Sequence, residues 1–318
     1  MREFTAACVQ IAVTPNDVQA NVAKGVVWLE KAVTDYDAEL VVFPETVTTG
    51  FVTGLDAEAL WDLVDDVPGR ITRDVKTAAK SLGVYVVWPS YRRGPERGIV
   101  FNSAILIGPD GEIAGIYDKT HPFPLERRDC GGWVTPGDRA DVFETALASI
   151  GMIICYDGDF PELSRLLAVK GAEVIVRPSA LLRSFDIWHI TNSARAYDNH
   201  VYVVATNSVG PDAGGSYYFG HSMIVNPIAW RLAQARGGEE IIAVSLDPDP
   251  LRYVTWGSKS PQIFDHLEDR RLALYGEILS EARSRFEIGQ RIPRVTPPDE
   301  GSPPSSKCAC CCGSEKCA

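Results

Sequence analysis

Apolar residues in this chain follow two rhythms that alternate for most of its length. Short continuous runs read as strands: Phe4 to Val13, Leu40 to Phe43, Val84 to Pro89, Phe101 to Ile107 and Ile113 to Tyr117. Val18, Val22, Val26, Leu29 and Val33 recur near helical spacing, which predicts a helix over Asp17 to Val33. A second helix is predicted over Ile71 to Leu82, with Gly83 as its stop. Pro109-Asp-Gly111 joins two of the strands as a hairpin turn. The second half repeats the alternation. A run from Ile150 to Cys155 precedes a helix from about Glu162 to Lys170, a strand over Glu173 to Arg177 and a helix over Asp186 to Asp198. Strands follow over Val201 to Asn207, His221 to Val225 and Glu240 to Ser245, and Ile263 to Ile288 reads as a long terminal helix with a charged face. Strands with interleaved helices imply a layered α/β body, with helices outside a pair of sheets.

Three of the runs end at chemically distinctive residues. Ile150-Gly-Met-Ile-Ile-Cys155 opens into the polar turn Tyr156-Asp-Gly-Asp-Phe-Pro161 and then a helix. Strand, reactive side chain, turn and helix is the order that lifts a nucleophile out of a sheet. Leu40-Val-Val-Phe-Pro44 stops at Glu45, and Ile113-Ala-Gly-Ile-Tyr117 stops just before Lys119. A thiol, a carboxylate and an amine at strand exits suit amide cleavage, which needs a nucleophile, a proton shuttle and a stabiliser for the oxyanion. An ordinary cysteine, with a pKa of about 8.5, is only a few per cent thiolate at neutral pH and needs a base or a cation nearby. Glu45 would take the thiol proton and later return it to the departing amine. Lys119 would face the developing oxyanion, with the backbone N–H of Tyr156 as a second donor.

Composition narrows the partners. The chain has 318 residues, 45% of them hydrophobic, enough for a large core in one domain or two. Its net charge of -11 argues against nucleic acid and against an anionic membrane surface. No run approaches the roughly 20 apolar residues of a membrane helix, and the first residues lack the pattern of a secretion signal. A cytoplasmic protein is expected. Cys308, Cys310, Cys311, Cys312 and Cys317 crowd the end of the chain, leaving Cys8, Cys130 and Cys155 for the body. This is not the spacing of a disulfide-stapled fold. Residues 1–290 are expected to form the working domain, and 291–318, rich in Pro, Ser and Cys, an extended or disordered tail.

Phe43-Pro-Glu45, Tyr117-Asp-Lys119-Thr-His121 and Ile154-Cys155-Tyr-Asp-Gly-Asp-Phe-Pro-Glu162 resemble, in order and separation, the three blocks of the nitrilase superfamily of carbon–nitrogen hydrolases. Supporting stretches are Val134-Thr-Pro-Gly-Asp138, Ala194-Arg-Ala-Tyr-Asp-Asn199 and Gly220-His-Ser222, and the likeness runs from about Phe4 to about Leu279. The resemblance implies a four-layer α-β-β-α sandwich with Glu45 as general base, Lys119 as oxyanion holder and Cys155 as nucleophile. It also implies a second catalytic glutamate about seven residues after the lysine, a place that Glu126 fills and from which it would position the substrate or the base, and homodimers, built through helices beside the site, that join into larger assemblies. Tyr156 and Asp157 after the nucleophile look more like the amidase side of the superfamily than the nitrilase side. The expected reaction is therefore hydrolysis of a small amide to a carboxylate and ammonia through a thioester, with no cofactor and no metal. Tyr156, Trp133, Pro178, Ser179 and Ala180 are the candidate pocket residues. Arg177-Pro-Ser179-Ala180-Leu181 departs from one branch to another and names no substrate.

Plainer readings compete. Cys155 alone would be a packed core cysteine. Glu45 would cap a helix, Lys119 would be a solvated loop lysine, and Glu126, among Arg127, Arg128 and Asp129, would make a surface salt bridge. Trp133, Tyr156 and Trp188 would be core packing. His121, close to Lys119, would offer a Cys–His pair of the protease kind. The same triad would also serve an N-carbamoyl or nitrile hydrolase. The reading of a different class is a non-catalytic scaffold, or a thiol-rich protein whose tail binds metal.

Overall fold

The computed structural model describes residues 1–249 and 265–282. Strand β1 (Phe4–Gln10) leads into helix α1 (Val18–Tyr36) and back to β2 (Leu40–Val42). Helices α2 (Ala57–Leu63) and α3 (Arg70–Leu82) precede β3 (Tyr85–Arg93), β4 (Val100–Ile107) and β5 (Ile113–Asp118). The next elements are β6 (Val142–Glu144), β7 (Ser149–Met152), α4 (Pro161–Val169), β8 (Val174–Ser179), α5 (Phe185–Asn199) and β9 (Tyr202–Asn207). Short strands β10 (Val209–Pro211), β11 (Tyr217–Phe219), β12 (Met223–Val225) and β13 (Arg231–Gln234) then lead to β14 (Glu240–Leu246). Local signals set several boundaries. Asp17 caps α1 by accepting from the Ala20 N–H, and Gly83 ends α3 at a φ of 71°.

Two six-stranded sheets form, in the orders β14-β1-β2-β3-β4-β5 and β13-β12-β9-β8-β7-β6. Each has three parallel central strands, β1–β2–β3 and β7–β8–β9, flanked by antiparallel neighbours. Alternation along β1 shows how the layers stack. Ala6 and Cys8 point into a core shared with Met152, Val176 and Ala205 of the other sheet, whereas Ala7 and Val9 face α1 and α3 through Val22, Leu29, Val75 and Ala79. Leu163, Leu167 and Trp188 bring α4 and α5 onto the outer face of the second sheet. The architecture is the expected α-β-β-α sandwich, and helices on both outer faces explain why the parallel strands read as continuous apolar runs.

The structure differs from the sequence reading in places. The first strand stops at Gln10 rather than Val13, and β7 ends at Met152, so Ile153 and Ile154 already belong to the approach to the turn. Helix α2 was not foreseen; seven residues are too few to display a periodic stripe. No long terminal helix exists over 265–282, where only the short 3₁₀ turns Leu272–Leu274 and Gly276–Leu279 form. Leu272, Leu274, Tyr275, Ile278 and Leu279 are exposed, so among the described residues the apolar positions of that stretch are not buried. The rest of that reading, at 263–264 and 283–288, and the expected tail at 291–318 lie outside the described residues. Among the described residues no helix is long and apolar enough to cross a membrane.

Helix α1 meets the first sheet at Gly25. A Cβ there would lie 2.3 Å from the ring of Trp88. That ring is fully buried, donates to the Ile71 carbonyl at 2.8 Å and meets Phe43 edge-on, so it cannot step aside. Alanine is worth about 1 kcal/mol over glycine in a helix, but overpacking costs about 1–3 kcal/mol. We expect Gly25→Ala to lower the urea midpoint; a raised midpoint would contradict this packing.

Candidate active site

Glu45, Lys119 and Cys155 leave β2, β5 and β7 toward the same end of the two sheets, where α/β folds hold their ligands. Glu45 follows Pro44 and begins a turn rather than a helix. Its Oε1 accepts from Lys119 Nζ at 2.7 Å and from Asn102 Nδ2 at 2.8 Å, and its Oε2 accepts from the Ala180 N–H at 2.8 Å. Lys119 also donates to Glu126 Oε2 at 2.6 Å. Glu126 is fully buried, so the surface salt bridge read from its neighbours is wrong; the chain folds back over it, and the Phe123 N–H and Asn102 hold its two oxygens at 2.9 Å. Both lysine–carboxylate pairs are wholly out of solvent.

Burial lowers Lys119, but Glu126 and Glu45 outweigh it and raise the ammonium above its ordinary value. Burial, with help from the Glu45 charge, raises Glu126 against the downward pull of Lys119. The cluster therefore keeps its cation firmly, and Glu126 binds a proton more readily than a surface carboxylate would.

Cys155 heads a 3₁₀ turn, Cys155–Asp159, that runs into α4 through Pro161. Its φ of 46° puts a non-glycine residue in the left-handed region, a strain of about 1–3 kcal/mol that the surroundings must hold. The residue is 6% exposed and borders the core shared by the two sheets. Burial first, and then the Glu45 carboxylate, push it up to about 12; Lys119, Arg177 and the Ala180 N–H pull the other way. The resting thiol is thus protonated at neutral pH beside a carboxylate and two cations. Asp157, fully buried, braces the turn: it accepts from the Ile154 N–H, the Tyr117 hydroxyl and the His121 N–H at 2.8–2.9 Å. His121 is engaged there, with Nδ1 2.9 Å from Asp157 and its ring stacked on Phe160, and so serves the turn rather than forming a pair with the thiol.

The other candidates divide. The Ala180 N–H bonds Glu45 and the Ser179 carbonyl accepts from the Glu45 N–H at 3.4 Å, so the end of β8 touches the cluster directly. Pro178 is buried in β8 one residue earlier. Tyr156 is half-buried and stands edge-on to Phe123 and Phe160, beneath the Arg183 guanidinium. Trp133 packs with Leu60, Tyr91 and Val100 under α2, and Trp188 is sealed in α5 with Nε1 on the His221 carbonyl, so both tryptophans are core residues. Sequence reasoning missed the roles of Asn102 and Asp157, and it missed Phe51 and Tyr218, which form an apolar group with the expected Ala180 and against which Phe123 packs. Asn102 had a signal, an amide inside the strand Val-Phe-Asn-Ser-Ala-Ile-Leu-Ile. The apolar group had none, because its members come from three distant segments.

Known proteins share these layers. A Helicobacter pylori carbon-nitrogen hydrolase superposes with a TM-score of 0.74 at 25% identity, covering 88% of this chain and 99% of that one. Saccharomyces cerevisiae Nit3, described as a member of branch 10 of the nitrilase superfamily, gives 0.71 at 27% identity, covering 81% and 96%. An (R)-stereoselective amidase from a Pseudomonas species is 35% identical over 79% of this chain and 86% of its own length. The omega-amidase NIT2 of Xenopus tropicalis is 32% identical over 78% and 90%. The sandwich is that of the nitrilase superfamily, and its members here are hydrolases of carbon–nitrogen bonds. The chain belongs to the carbon-nitrogen hydrolase family, whose model matches residues 5–254.

Removing Lys119 should expose the cost of the two carboxylates. Lys119→Met leaves buried charge without its partner, a loss of about 3–5 kcal/mol. Glu126 loses the group that pulls it down, so it rises further above its ordinary value. A carboxyl raised on folding supports the fold at low pH, and that support disappears as pH climbs. We expect the variant's deficit in denaturant unfolding to be larger at about pH 7.5 than at about pH 4.5. An equal deficit at both would contradict this electrostatic account.

Proposed function

We propose that the protein is a thiol amidohydrolase that cleaves a small amide to a carboxylate and ammonia. The observation that carries this reading is one contiguous cluster: a thiol in a strained turn, electrostatically coupled to Glu45 and Lys119, which are themselves joined at 2.7 Å. Glu45 takes the Cys155 proton as sulfur attacks the amide carbon, and the carbonyl π electrons move onto oxygen. Lys119 has three N–H donors, and its bonds to Glu45 and Glu126 leave a third for this oxyanion. The Tyr156 N–H is the second donor. As the C–N bond breaks, the nitrogen leaves with the proton held by Glu45, and a thioester remains on Cys155. Glu45 then draws a proton from water, hydroxide adds to the thioester, and collapse releases the carboxylic acid and the thiolate, which takes the proton back.

Glu126 holds Lys119 directly and Glu45 through Asn102, and so positions the base rather than the substrate. Tyr156, Pro178, Ser179 and Ala180, with Phe51, Phe123 and Tyr218, border the space for the acyl group. Relatives named amidase and omega-amidase support an amide over a nitrile or an N-carbamoyl compound. The same reading has the enzyme working in the cytoplasm without a cofactor, as a homodimer or a larger assembly.

Ammonia release from a panel of aliphatic, aromatic and amino-acid amides tests the proposal, with matched nitriles and N-carbamoyl compounds beside them. Cys155→Ala should remove turnover, a loss of at least about 10⁴-fold, while its unfolding curve stays near that of the parent. Turnover retained in folded Cys155→Ala would overturn the assignment.

A further inference from the structure

We infer that Arg177 is a positioning residue for Cys155, its guanidinium fork gripping the carbonyl of Cys155 and so fixing the thiol in its left-handed turn. The inference rests on the reading of Cys155 as nucleophile. Arg177 interrupts the apolar run of β8, Val174-Ile-Val-Arg177, at a position where an aliphatic residue would continue the strand at far lower desolvation cost. It is fully buried. Nε and Nη2 donate to Cys155 O at 2.9 and 2.7 Å, a two-pronged grip on one acceptor. Nη1 donates to Thr191 Oγ1 and Asn192 Oδ1, both at 2.8 Å, and the guanidinium lies 5.2 Å from the Trp188 ring, so α5 fixes the fork from behind. Its carboxylate neighbour Asp159, at 3.6 Å, is already taken by two closer bonds from Arg183.

A second position is matched to the first. A Cβ on Gly158 would lie 2.1 Å from Arg177 Cζ, so the turn carries no side chain where the guanidinium passes beneath it. A carbonyl held by two donors cannot rotate its peptide plane freely. That restrains the φ of 46° at the residue whose sulfur must meet Glu45 and Lys119. The cation also acts on the thiol itself. Cys155 is coupled to Glu45 after β2, Lys119 after β5, Arg177 on β8, Arg183 just beyond it and Tyr218 on β11. Glu45 works against a thiolate, and Lys119 and Arg177 work for it. Burial lowers Arg177 to about 10, which leaves it charged at neutral pH.

Full-length Arg177→Met and Arg177→Lys test this, with alkylation of Cys155 by iodoacetamide measured between about pH 7 and pH 9. Mass spectrometry of the Cys155 peptide separates this thiol from the others, and thermal unfolding reports the fold. Folded Arg177→Met should be alkylated about tenfold more slowly, since losing a cation raises the thiol. Arg177→Lys keeps the charge but not the fork. It should alkylate within about threefold of the parent, yet lose on the order of a hundredfold in kcat at little changed KM. Parental alkylation and kcat in folded Arg177→Met would overturn the inference. So would failure of both variants to fold, which would make Arg177 a folding residue only. Alkylation needs no amide turnover, so an alkylation loss in a protein that hydrolyses no amide would sink the proposed function and leave this inference standing.

Discussion

The ammonium of Lys119, held between two buried carboxylates, is the constraint on which the site depends. Taking an ion out of water costs several kcal/mol unless partners replace the hydration shell. Here Lys119 bonds Glu45 and Glu126, Asn102 bridges the two carboxylates, and the N–H groups of Ala180 and Phe123 complete their shells. These donors come from β4, the end of β8 and the loop after β5, so the cluster exists only when both sheets have assembled. Buried in this way, the cluster is preorganised: little needs to reorient when charge develops on a bound amide.

The thiol completes this arrangement from the second sheet. Burial and the nearby carboxylate keep it protonated at rest, and the cations beside it pull toward the thiolate. Asp157 and Arg177 both hold the start of the turn, one through the Ile154 N–H and the other through the Cys155 carbonyl. A thiol in a strained backbone position is thus held by residues that bond the backbone of its turn.

Much of this was visible in the chain, for identifiable reasons. The parallel strands are covered on both faces, so they read as apolar runs, and the residues that end them stand out by contrast. Glu45 and Cys155 could be found this way, Lys119 by the apolar run of the antiparallel edge strand β5 that it follows, and the order of three short blocks indicated the sandwich. What stayed hidden depends on tertiary proximity. Asn102 looks like an imperfection in a strand until it is seen bridging two carboxylates. Arg177 looks like a branch-to-branch difference until its fork is seen on the Cys155 carbonyl. Glu126, set among charged neighbours, gave the wrong local signal because burial is decided by the loop around it. The stripe over 265–282 misled in the opposite sense, since helical spacing without a surface to pack on does not make a helix.

The account is tested most directly by the mass of the protein during turnover. Acid quenching in the presence of an amide that releases ammonia, followed by mass spectrometry of the Cys155 peptide, should show that peptide heavier by the acyl group of the substrate. Turnover with no adduct on Cys155, or with the acyl group on another residue, would contradict it.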